Sequence, residues 1–316
     1  MIMTKTFDTC NGRTGIPKTF VMMLSLITVI FSGCSAEQNK CVAKTTFSPA
    51  IGVCTSMKNS HKLKAAGYAY IEESVGGLLM PLEPEEKFEK KYAEFRKSAL
   101  PVETCNSFIP GSLKSVGPKA AHDKILSYVE TAFRRAKKIG VKIIVFGSGG
   151  SRGIPEGFDR AKAKAQFVDL LKKMGPVAGK YDVLVCIEPL NRGECNFINS
   201  VGEGARIVKL IDHPNIKLLA DMYHMAREGE PAAEIVKAGA LLYHCHIAEN
   251  KERGYPGKNR EDLTGYLAAL KQIGYRGRIS VECRWEKFDS ETPVALAYMN
   301  KQIKAVNKGK KKNIPR

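Results

Sequence analysis

At 316 residues, with 44% hydrophobic and 26% charged side chains, the chain has the composition of a folded protein and the length for one large core, which excludes intrinsic disorder as its class. A formal charge of +18 marks a basic surface, read first as a solvated tail with Lys308, Lys310, Lys311, Lys312 and Arg316 together with lysine-rich helix faces, and second as a surface for anionic ligands, envelope polymers or membrane headgroups. Nine cysteines with no tight framework and no C-x-x-C pair argue against a disulfide scaffold and against a thiolate metal site.

In chain order, the first feature is Lys5, Arg13 and Lys18 ahead of an uncharged run from Phe20 to Phe31, followed by the small residues Ser32, Gly33 and Cys34. That order is a secretory signal. The apolar run is too short to cross a hydrocarbon layer of roughly 30 Å as a helix, so cleavage is expected rather than a permanent span. The ending Ser32-Gly33-Cys34 resembles the bacterial lipoprotein signal, whose cysteine is lipidated and becomes the mature N-terminus; Phe31 stands where that signal usually carries Leu. The expectation is a signal peptide of lipoprotein type over residues 1–34, a polar linker over 35–46, and export to the periplasm or cell envelope with a lipid on Cys34 holding the protein to a membrane.

Over residues 47–306 short apolar runs alternate with amphipathic stretches, the rhythm of repeated β-α units and a parallel sheet. Eight strands are predicted: Ile51 to Thr55, Tyr68 to Glu73, Val102 to Ser107, Val141 to Gly147, Val183 to Glu188, Ile216 to Asp221, Leu241 to Ile247 and Arg278 to Cys283. The clearest helices between them are Pro84 to Ala99, Ala121 to Ile139, Phe158 to Met174 and Asp262 to Ile273. In the third, Ala163, Phe167, Leu170, Leu171 and Met174 recur at helical spacing among lysines. Glycines at Gly140, Gly239 and Gly274 stand where helices end before the next strand, the usual left-handed cap position. The expected fold is therefore α/β, a (β/α)8 TIM barrel of one domain after the signal segment, with residues 307–316 as a basic tail. A doubly wound open sheet would want a G-x-G-x-x-G after the first strand, and none follows it. The Gly147-Ser148-Gly149-Gly150-Ser151-Arg152-Gly153 loop lacks the Gly-Lys-Ser/Thr ending of a nucleotide-binding loop and reads as a flexible substrate loop. Cys54, Cys105, Cys186, Cys245 and Cys283 fall in strand-like runs and read as small buried hydrophobes.

In a parallel barrel, function gathers where strands end. Four consecutive predicted strands end in metal-ligand types: Glu188 on the fifth, Asp221 on the sixth, His246 on the seventh and Glu282 on the eighth. A carboxylate behind an apolar run is costly unless a cation or hydrogen bonds compensate it, and converging carboxylates repel. One divalent ion removes that conflict. Three hard oxygen donors and an imidazole suit Mn2+, Mg2+, Co2+ or Zn2+. Asn106, at the end of the third strand, and one of Glu72 and Glu73, whose side chains must point to opposite faces, are candidates to line the pocket. Trp285 either packs against a bound ligand or caps the rim.

These segments carry a specific resemblance. Ile187-Glu188-Pro189-Leu190-Asn191-Arg192-Gly193-Glu194, Asp221-Met222-Tyr223-His224-Met225 and Gly274-Tyr275-Arg276-Gly277-Arg278-Ile279-Ser280-Val281-Glu282 resemble the fifth-, sixth- and eighth-strand motifs of the xylose-isomerase-like barrel superfamily, nearest its ketose 3-epimerases. The resemblance implies one metal held by Glu188, Asp221, His246 and Glu282, the two glutamates as acid and base, and Glu194, His224 and Arg253 as sugar contacts. Arg253 stands one residue later than in the epimerases.

The residues suit proton abstraction beside a carbonyl, through an enediolate whose charge a metal stabilises. Return of the proton from the opposite face inverts the carbon, and return to the neighbouring carbon isomerises the sugar. A lyase or dehydratase on a keto-sugar or inosose, or a sugar-binding envelope protein without turnover, would use the same pocket. Nucleic acid is not the expected partner: endonuclease IV shares the superfamily but needs a histidine-rich multi-zinc site, whereas this chain has 6 histidines, of which His61, His122 and His213 fall away from the cluster. The expected partners are a small sugar, a membrane through the lipid anchor, and a second copy of the chain as a possible homo-oligomer.

Overall fold

The computed structural model describes residues 46–309; the expected signal peptide with Cys34, the linker up to residue 45 and the tail from residue 310 lie outside the described residues. Eight strands run β1 Ala50–Cys54, β2 Tyr70–Ser74, β3 Val102–Asn106, β4 Ile143–Phe146, β5 Leu184–Ile187, β6 Ile216–Asp221, β7 Leu242–Ile247 and β8 Arg278–Val281. Each pairs in parallel with its sequence neighbour, and β1 pairs with β8, closing the barrel in order 1 to 8. The runs are near-continuously apolar because both faces are covered, the inner by the barrel and the outer by helices. All eight predicted strands are present, mostly a residue or two shorter than expected; β8 ends at Val281, leaving Glu282 and Cys283 in the following loop.

The four predicted helices are Glu85–Phe95, His122–Ile139, Arg160–Lys180 and Thr264–Gln272. The first stops at Phe95, four residues short of Ala99, and the last two also differ from expectation at their ends. Arg160–Lys180 continues past Met174 through Pro176, at the loss of one backbone bond, because Ala178 is still buried against the core. Gly175 in that stretch is needed for space: a β-carbon there would stand 2.5 Å from the His213 ring. Gly140 adopts φ +96° and returns its N–H to the Ala136 carbonyl, the cap the sequence leads one to expect.

Alternation along the strands divides the core into two environments. Outside the barrel, Phe108, Phe146, Phe167 and Phe197 form a row with centroids 5.3–5.6 Å apart, packing the helix Arg160–Lys180 on β4 with a loop residue at either end. Inside, Ile143, Val145, Cys186 and Leu219 make a small separate apolar cluster on β4, β5 and β6. The facing half of the interior is polar, with Tyr70, Glu72, Thr104, His244, His246 and Ser280 all buried. Gly52 makes room for this half, since a β-carbon there would stand 2.4 Å from the Tyr70 ring. Among the described residues no helix is long and apolar enough to cross a membrane.

Candidate active site

The strand ends bring Glu188, Asp221, His246 and Glu282 to one place, with one potential ligand atom from each lying within 4.8 Å of all the others. His246 Nδ1 is the hub, 2.9 Å from Glu188 Oε1 and 3.2 Å from Glu282 Oε2. Asp221 uses Oδ1 to accept the Tyr223 N–H at 2.7 Å, capping the turn Met222–Arg227, while its Oδ2 is buried with no hydrogen-bond partner. An orphaned carboxylate oxygen beside two further carboxylates and an imidazole is what a divalent cation site offers, so the donor set fits the expected metal.

The charges are strongly coupled. Burial alone would lower the basicity of His246, but Glu72, Cys54, Glu282 and Glu188 surround it and hold it well above the usual imidazole range. Burial likewise opposes ionisation of Glu282, yet His246 and Arg253 bring it down to about 2. For Glu188 burial prevails over the pull of His246, and its carboxyl is raised. The two glutamates, one residue past the ends of β5 and β8, are thus pushed in opposite directions.

Around the cluster stand the other expected residues. Asn106 Nδ2 donates to Glu282 Oε1 at 3.2 Å. Arg253 donates from Nη2 to Glu282 Oε2 at 2.6 Å and from Nη1 to Glu194 Oε1 at 3.3 Å, and its guanidinium lies over the Tyr223 ring at 4.7 Å. The one-residue offset of Arg253 therefore does not remove it from the site; Glu252 and Arg253 both take positive φ there. His224 is buried with Nε2 3.4 Å from Asp221 Oδ2, and Asn191 Nδ2 bridges its Nδ1 at 2.8 Å to Glu194 Oε1 at 3.0 Å. Trp285 stacks on Tyr255 at 5.7 Å with the planes 9° apart, which joins two rim loops.

Other residues here resolve an open choice or differ from expectation. Of the β2 pair it is Glu72 that points inward, while Glu73 accepts the Met57 N–H at 2.8 Å on the outer side. Cys54 is not a plain buried hydrophobe: its sulfur joins His246 and Glu282 within 4.8 Å, and burial with the surrounding carboxylates raises its thiol. Cys54 pairs with Glu72 in register, so the two share a face. The glycine-rich stretch after β4 is one helical turn, Gly149–Arg152, rather than a slack loop. Buried Arg152 donates from Nε to the Gly147 carbonyl at 2.5 Å and from Nη2 to the Glu188 carbonyl at 2.6 Å, bracing the backbone that presents Glu188.

A family model described as xylose isomerase-like TIM barrel matches residues 61–302. An L-ribulose 3-epimerase of Methylomonas sp. strain DH-1 is 35% identical over 129 residues, 40% of this chain and 43% of that protein. An inosose isomerase of Bacillus subtilis is 24% identical over 176 residues, 51% of this chain and 60% of that protein. The aligned stretches thus span roughly two fifths to three fifths of these curated relatives. The fold matches a D-psicose 3-epimerase of Clostridium cellulolyticum, solved with D-tagatose, at TM-score 0.71 and 21% identity over 80% of this chain and 99% of that one. With the family match running across most of the barrel, from the helix after β1 to the last helix, the chain belongs to the xylose isomerase-like TIM barrel family.

Proposed function

We propose that the protein is a metal-dependent sugar isomerase or epimerase acting next to a carbonyl through an enediolate. The observation that carries the reading is the convergence of Glu188, Asp221, His246 and Glu282 to within 4.8 Å at the ends of four consecutive strands, with Glu194, His224, Arg253 and Asn106 around them. A divalent cation held by those four would polarise the carbonyl and stabilise the enediolate charge. Glu282 and Glu188 approach from β8 and β5, so one takes the proton and the other, already protonated, delivers its own proton to the opposite face of the flat intermediate. His224 and Glu194, tied together through Asn191, bind sugar hydroxyls. Arg253 orients both Glu194 and Glu282 while offering its remaining donors to the substrate. Relatives named as epimerases of ketoses and of 3-dehydro-D-guloside support a sugar bearing a carbonyl as the substrate class.

The test is incubation of the full chain with Mn2+ and a panel of ketoses, aldoses and inososes in D2O. Deuterium at one carbon with inversion identifies epimerisation, transfer to the neighbouring carbon identifies isomerisation, and loss of water identifies a lyase. Glu188→Gln and Glu282→Gln are each expected to lower exchange about 10²–10⁴-fold, and chelation to abolish it until metal is restored. Sugar binding without any exchange would sink the enzyme reading in favour of a binding protein.

We also propose that the protein stands outside the cytoplasm on a lipid at Cys34, a reading supported by the basic residues, apolar run and Ser32-Gly33-Cys34 ending of the N-terminal sequence. Labelled palmitate is expected to enter the wild-type protein and not Cys34→Ala; equal labelling would exclude Cys34 as the acylation site.

A further inference from the structure

Glu72 has no part in the chemistry above, yet it is among the most expensively placed groups in the molecule. Its carboxylate is 1% exposed inside the barrel, where a charge persists only if its lone pairs are well satisfied. They are. Oε1 lies 2.9 Å from His246 Nε2. Oε2 meets His244 Nε2 at 2.7 Å and accepts the Ser280 hydroxyl at 2.6 Å and the Thr104 hydroxyl at 2.9 Å. Ser280 is itself held by the Tyr70 hydroxyl at 2.8 Å.

An ionised carboxylate only accepts, so the short contact to His246 Nε2 requires the proton on that nitrogen. In a neutral imidazole the free lone pair is then on Nδ1, the atom that faces Glu188 and Glu282. With Nε2 unheld, the opposite tautomer becomes available, with an Nδ1–H donating to Glu188, and that ring cannot bind a cation at Nδ1.

We propose that Glu72 is a positioning residue for the metal centre: its hydrogen bond to Nε2 fixes the His246 tautomer and ring plane so that Nδ1 presents its lone pair to the cation. This rests on the metal-dependent reading of the site. A carboxylate behind a ligating histidine also raises the basicity of the ligand, and loss of such a partner typically costs about 10–100-fold in metal affinity. Ser280, Thr104 and Tyr70 keep Glu72 in place, which gives the polar half of the barrel interior a purpose beyond packing.

The experiment titrates full-length apo-protein with Zn2+ against a chromophoric chelator, for wild type, Glu72→Gln and Glu72→Asp, and records long-range 1H–15N correlations of His246 in the Zn2+-loaded protein. Wild type should show a protonated Nε2 and an unprotonated Nδ1 that carries the Zn2+. Glu72→Gln should bind Zn2+ about 10–100-fold more weakly, and Glu72→Asp should recover part of that loss. A proton on Nδ1 in loaded wild type, or unchanged affinity in Glu72→Gln, overturns the role of Glu72 alone. Failure of wild type to bind any divalent ion overturns the metal reading with it. Should Glu72→Gln not fold, the wild-type tautomer decides.

Discussion

Gly147 follows β4 at the point where Glu188 swings in from β5, and a β-carbon there would stand 2.2 Å from Glu188 Oε2. The atom it meets is the far end of a flexible side chain, so the backbone can stay while the carboxylate must leave. Gly147→Ala is therefore expected to fold with a melting temperature near that of wild type and to lose at least about tenfold in divalent-metal affinity, measured by chelator competition. The four cluster residues were legible in the sequence because each is a titratable group behind an apolar run, a placement that burial makes costly without a partner. Glu72 was legible only as one of two adjacent glutamates, since alternation says that one faces inward but the register with β1 decides which. Cys54 was passed over for a related reason: cysteine is so ordinary in barrel strands that its residue type carries little signal.

Among the elements, the loop after β7 shows how a non-regular segment is made to hold a side chain at a site. Glu249 is fully buried and accepts the N–H groups of Gly257 at 2.6 Å, Asn259 at 2.5 Å and Glu261 at 3.2 Å. Glu261 in turn accepts from Asn250 at 2.7 Å and Lys251 at 2.9 Å. Two carboxylates thus cross-link the loop that carries Arg253. Glu249→Ala is expected to accelerate hydrogen exchange at Gly257 and Asn259 and both to raise KM and to lower kcat, because a loosened Arg253 releases Glu194 and Glu282 together; a wild-type exchange pattern would show that the loop is held by other means. This organisation was not readable beforehand. Charged residues in a loop give no period, and the same Glu-rich stretch would serve equally as a solvated surface. The stretch after β4 misled in the opposite sense: its glycines suggested slackness, whereas they allow close packing, with a β-carbon on Gly149 only 3.0 Å from the Glu194 carbonyl.

For the molecule as a whole, the barrel was the most legible feature, because eight apolar runs separated by amphipathic helices admit few closed arrangements. The split of its interior into apolar and polar halves was not, since it depends on which alternate residues face in. Outside the barrel, buried Arg135 reaches the carbonyls of Leu79 at 3.0 Å and Glu83 at 2.9 Å, contacts that of Met80, and pairs with Glu85, tying the segment after β2 to the helix His122–Ile139. Hydrogen bonding by Arg134, helped by Arg135 against some desolvation, lowers the Glu85 carboxyl from 4.5 to about 2. A depressed carboxyl stabilises the fold above its unfolded value and loses that contribution as pH falls toward the folded one. Because Glu85 is 44% exposed, water screens the pair, and the contribution is about 1 kcal/mol rather than the full shift. Glu85→Gln is accordingly expected to melt below wild type at neutral pH and to converge with it as pH falls from 4.5 to about 2; a constant gap across that range would assign the loss to packing.

The stacked pair at the rim has a practical consequence. Trp285 is the single tryptophan of the chain, and its flat contact with Tyr255 bridges the loops that follow β7 and β8. Indole emission excited at the red edge, where tyrosine is dark, is therefore an optical gauge of the barrel mouth alone. Titrating candidate sugars while watching that one fluorophore turns a search for ligands into a measurement that needs neither labels nor turnover.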